Sequence, residues 1–137
     1  MTTHPYLRAY MAGVTVPTVF LLFPFVVFTA VRLGYNPDFP IERIMVFPLA
    51  MVPAIWGVWN IVYLAMHKRR YIPLGCHGAL VPLFLVPMAL AGLNVLGIDL
   101  GIASWRIIAL AVPLLMILYY LIWKYLVGLL NELLGIA

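Results

Sequence analysis

Asn60, Tyr63 and His67 recur at helical spacing, so their side chains share one face of a helix. Lys68, Arg69 and Arg70 follow at once, and His77 opens the next apolar stretch beside Cys76. These residue types suit two chemistries. Arginine grips phosphate or carboxylate through paired N–H donors, so Arg69 and Arg70 suit the polar head of an anionic amphiphile. Facing imidazoles on neighbouring helices suit bis-histidine haem ligation, for which His67 and His77 are placed.

Each residue also has a plainer role. Basic residues between spans set membrane orientation and meet lipid headgroups. A histidine ending a helix complements its dipole. Cys76 and His77, flanked by Gly75 and Gly78, read as a tight turn. An asparagine in an apolar helix bonds across to a neighbour. Lys124 sits near a helix end, where a lysine snorkels to the interface.

Other chemistries are disfavoured. Cys76 is the sole cysteine, which excludes an intramolecular disulfide and a multi-cysteine metal centre. Serine occurs once, as Ser104, and there is no G-x-S-x-G elbow, H-E-x-x-H pair or phosphate-binding glycine loop. All four acids, Asp38, Glu42, Asp99 and Glu132, fall in connections or the tail. Proton-coupled transport through an intramembrane carboxylate is therefore disfavoured.

The elements that must position these residues are set by four windows without charge. No charged residue or histidine lies between Arg8 and Arg32, Arg43 and His67, His77 and Asp99, or Arg106 and Lys124. The windows hold 23, 23, 21 and 17 residues. A bilayer core of about 30 Å takes roughly 20 residues of helix at ~1.5 Å each. With 66% hydrophobic and 9% charged residues, the chain lies far from the composition of a soluble domain. The sequence reads as an all-α polytopic membrane protein: one domain, 1–137, with four transmembrane helices over about 9–31, 44–66, 79–98 and 106–128. Short proline- and glycine-bearing connections make neighbouring spans antiparallel, giving an up-down bundle. The last apolar run, 107–137, exceeds one crossing, so its tail is expected to tilt, to extend beyond the membrane or to lie in the interface.

Lys68, Arg69 and Arg70 share a side with both termini, where Arg8 and Lys124 add charge. The other two connections balance their arginines with acids. This predicts cytoplasmic termini in a plasma or inner membrane, and it assigns the net charge of +4 to topology rather than nucleic acid. Trp105 on one edge, and Tyr10, Tyr71, Trp123 and Tyr125 on the other, would form aromatic belts. Spans two and three echo one another: Pro48, Pro53, Gly57 and Asn60 recur as Pro82, Pro87, Ala91 and Asn94. The echo reads either as a small inverted repeat or as chance in an apolar alphabet, and it predicts that Asn60 and Asn94 both face protein.

The expected function is binding or transport of a hydrophobic or amphiphilic ligand at the cytoplasmic half, through Asn60, Tyr63, His67, Arg69, Arg70 and His77. No metal or resident cofactor is expected in this reading. The alternatives are a non-catalytic accessory or assembly subunit and a bis-histidine haem electron carrier. Expected partners are the bilayer, its anionic headgroups, and copies of the chain or a larger membrane complex.

Overall fold

The computed structural model describes residues 4–35, 41–67, 72–97 and 105–136, with backbone alone at 105–107. The described residues are helical, and four helical stretches are long and apolar enough to cross a membrane. The chain is a small integral membrane protein built as a four-helix bundle.

The first span is α1, Pro5–Tyr35. The second is broken into α2 (Ile41–Val46), a 3₁₀ turn (Leu49–Met51) and α3 (Val52–His67). The break falls at Phe47 and Pro48, where proline cannot donate to a helical ladder. The third span is α4, Leu74–Val95, which carries Pro82 and Pro87 within it. The fourth runs through α5 (Trp105–Ile122), a π turn (Trp123–Val127) and α6 (Gly128–Leu133). The first two spans contain the predicted ones and run on by about a turn or less; the third begins earlier than predicted, at Leu74, and its helix ends at Val95, short of 98; the last reaches further, to Leu133.

The spans pack as two hairpins. α1 lies chiefly against α3, and α4 chiefly against α5, while α3 and α4 meet along a thin seam. Alternation of direction is visible at both ends. Arg32 at the close of α1 pairs with Glu42 in α2 at 2.8 Å, whereas Ala9, Asn60 and Asn131 meet at the opposite, basal end, to which both termini run.

Glycines decide where the helices approach. A β-carbon on Gly13 would stand 2.5 Å from the Trp56 carbonyl oxygen and 2.9 Å from the Gly57 Cα, so α1 and α3 touch backbone to backbone there. On α4, Tyr120 packs against Gly75 and Trp123 against Gly78. Small residues serve this purpose in membranes, where helix association rests on close packing rather than on a hydrophobic effect between helices.

Three expectations are corrected here. Cys76 and His77 belong to the first turns of α4, not to a tight loop, and Gly75 and Gly78 are docking points for aromatic rings. Trp123 is wholly buried instead of lying in an interfacial belt. Its ring packs against Trp56, with centroids 5.5 Å apart, and anchors the core with Val16, Val81, Leu85 and Val127. Asn94 is exposed near the end of α4 while Asn60 is buried, so the echo between spans two and three does not extend to their surroundings. Tyr125 is exposed as a belt residue would be; Tyr71 falls outside the described residues, as does the Trp105 side chain.

Candidate functional site

α3 delivers its polar face to the basal end in order. Asn60 comes first and is fully buried. Its Nδ2 donates to the Ala9 carbonyl at 2.8 Å and to Asn131 Oδ1 at 2.8 Å. Asn131 Nδ2 returns a bond to Asn60 Oδ1 at 3.3 Å. Both amide hydrogens of Asn60 are thereby used, and three helices are joined at one point. An unsatisfied amide in hydrocarbon costs several kcal/mol, and this reciprocal pair removes that cost for both side chains. Arg8 adds a second tie across the same end, donating to the Leu134 carbonyl at 3.2 Å.

One turn further along, Tyr63 stands between the two histidines. Its ring lies 5.3 Å from that of His67 and 5.2 Å from that of His77. His67 is exposed at the helix end, while His77 is buried behind the tyrosine. Trp59 Nε1 donates to the His77 carbonyl at 2.9 Å, binding α3 to α4 across the thin seam. His77 Nδ1 is buried with no hydrogen-bond partner among the described residues. The Tyr63 ring is thus in contact range of both imidazoles.

An open cleft of about 240 Å³ lies at this end, where α3, α4, the π turn and α6 converge. Tyr63 and His67 form one wall, Pro73 and Leu74 a second, and Lys124, Gly128, Asn131 and Glu132 the third. The π turn matters to this wall. In an ordinary helix, residues four apart drift by about 40° per step. The wider turn keeps Trp123, Val127 and Asn131 on the buried side. Lys124 then falls on the outer side, exposed, with its ammonium 5.2 Å from the Tyr125 ring centroid and 5.9 Å from that of Tyr120. Cation–π contact of this kind holds a lysine head near aromatic faces.

Of the residues singled out in the sequence, the structure brings Tyr63 and His67 into the cleft. Asn60 and His77 stand behind it. Arg69 and Arg70 lie outside the described residues, in the connection that begins directly after His67. Sequence reasoning missed Asn131, Glu132 and the nearness of Leu74. The available signal was Asn131 itself: a lone amide in an apolar tail needs a partner, and Asn60 needed one too. No family model, curated protein or solved structure matches the chain, so its function is argued from this geometry.

Proposed function

We propose that the protein binds an amphiphile, with the polar end of the ligand in the basal cleft. The observation that supports this is the cleft itself, a three-walled recess at a helix-bundle end lined by Tyr63, His67 and Lys124 among others. Polar and cationic groups at such a depth commonly face a cavity or headgroup rather than lipid tails. Arg69 and Arg70, two and three residues after His67, would add donors for phosphate or carboxylate. In this reading the basal end is cytoplasmic, because the basic triplet and both termini share it. The proposed ligand set is Tyr63, His67, Lys124, Arg69 and Arg70, with Asn60 and His77 supporting it from behind.

The test is native mass spectrometry of protein released from mild detergent after reconstitution with an anionic phospholipid. A retained lipid mass that falls at least tenfold in Lys124→Ala and in Arg69→Ala/Arg70→Ala, with unchanged thermal unfolding, is the expected result. Equal lipid retention in both variants and wild type refutes the reading.

A second reading, a subunit held in a larger membrane complex, draws on a different observation. All buried residues of α1 lie between Ala9 and Pro17, and beyond them the helix presents exposed apolar side chains, including Phe23 at 76% and Leu33 at 83% exposure. Purification from native membranes with a stoichiometric protein partner on that face would favour it.

A further inference from the structure

The basal cleft carries a negative charge for which a purely anionic ligand has no use. Glu132 lines the same wall as Lys124, with Gly128 between them at spacings of four residues. Both charged residues are exposed and line the cleft, yet they form no ion pair with each other. Paired charges on one helix stand three or four positions apart. These two stand eight apart, about two turns of helix.

Gly128 forms the floor between them. At Gly13, Gly75 and Gly78 an added β-carbon would lie 2.5, 2.7 and 2.3 Å from a neighbouring atom, so packing dictates the glycine. At Gly128 the nearest atoms are Leu74 Cδ2 at 3.6 Å and the Trp123 carbonyl oxygen at 3.7 Å, which is ordinary contact. No neighbouring helix requires glycine there. Its effect is to leave backbone bare between a cation and an anion, and bare backbone admits the close approach of a ligand.

We propose that the ligand of the basal cleft is zwitterionic, with a headgroup that joins a phosphate to an ammonium and lies over Gly128. This rests on the amphiphile reading of the cleft and names the class of its ligand. The phosphate meets Lys124, with His67 and Tyr63 on another wall, and the ammonium meets Glu132. An ionised carboxylate only accepts hydrogen bonds and an ammonium only donates them, so that end of the cleft suits a cation. Such charge-assisted bonds are stronger than those between neutral groups. A headgroup bearing phosphate alone would leave Glu132 unmatched and set like charges in one recess.

Competition between two lipids tests the assignment. The full chain is reconstituted with equal amounts of phosphatidylethanolamine and phosphatidylglycerol carrying the same acyl chains, and retained lipid is read by native mass spectrometry. Wild type is expected to retain phosphatidylethanolamine at least fivefold over phosphatidylglycerol. Glu132→Gln closes that gap by lowering the first and raising the second, with unchanged thermal unfolding, since Glu132 is exposed. Gly128→Leu, which covers the floor, loses both lipids, whereas Gly128→Ala folds as wild type does. Soluble glycerophosphoethanolamine is offered in a parallel arm. Its retention with the same Glu132 dependence supports the headgroup chemistry with a free source, and retention of the lipid alone supports it with a bilayer source. Equal retention of the two lipids in wild type, both lost in Lys124→Ala, overturns the zwitterion and leaves the basal-cleft reading standing. Retention indifferent to Lys124→Ala overturns both. A wild-type preference that persists in Glu132→Gln, as it would if that carboxylate were spent on the basic connection after His67, also overturns the zwitterion. Should Gly128→Leu fail to fold, Glu132→Gln alone decides.

Discussion

The two ends of this bundle are built by different rules. At the basal end, three helices share the Asn60–Asn131–Ala9 hydrogen bonds, Arg8 caps the last helix, and glycines let Trp123 and Tyr120 sit against α4. At the far end, the described contacts are fewer: the Arg32–Glu42 pair, the buried Ile41, and the Phe47 ring against Gly92. The difference shows how a small membrane protein divides its helices. Polar bonds and close backbone approach fix one half, where lipid supplies no competing hydrogen bonds. The other half leaves its apolar side chains to the bilayer, which solvates them as well as a core would.

That contrast is most sharply broken at the glycine contacts. Gly13→Val places branched carbon into the Trp56 carbonyl and Gly57 backbone, neither of which can rotate away. Loss of the folded monodisperse peak in size-exclusion chromatography is expected, as for Gly78→Val against Trp123. Trp123→Ala comes next: it empties the centre of the core and should lower stability by about 3–5 kcal/mol, measured by thermal unfolding in detergent. At the far end Gly34 should tolerate the same class of change. Gly34 has nothing within 4 Å of an added β-carbon, so Gly34→Ala is expected to shift stability by less than about 0.5 kcal/mol. A destabilised Gly34→Ala, or a tolerated Gly13→Val, would erase the distinction between the two ends.

The sequence displayed the spans because charge cuts each apolar window at both ends, and bilayer thickness converts window length into helix number. Tyr63 and His67 were legible as site residues for a similar reason: helical spacing carries them down one face from Asn60. What the sequence concealed depends on pairing at a distance. Asn60 sits next to Tyr63 and His67 in the pattern, yet its partner is Asn131, 71 positions away. Nothing local distinguishes an amide that bonds a neighbour from one that bonds a ligand. Trp123 was misplaced because an aromatic beside a lysine suits an interface equally well; only Gly78, 45 positions earlier, makes room for it in the core. The break in span two was visible as Pro48 and Pro53, but its consequence, Phe47 turned onto Gly92, was not. Likewise Asn60 and Asn94 look alike in the echo and differ in burial, because one meets a third helix and the other comes at a helix end.

The central claim is that the Asn60–Asn131 pair is the structural clasp of the basal half, with Asn131 also forming part of the cleft wall. A double-mutant cycle measures this directly, using thermal unfolding of wild type, Asn60→Leu, Asn131→Leu and the double variant in one detergent. Each single variant strands a buried amide, so each should cost about 1–3 kcal/mol. The double variant removes both amides and should cost less than the sum, with a coupling of about 0.6–1.7 kcal/mol. Strictly additive losses, or single variants as stable as wild type, would contradict the clasp.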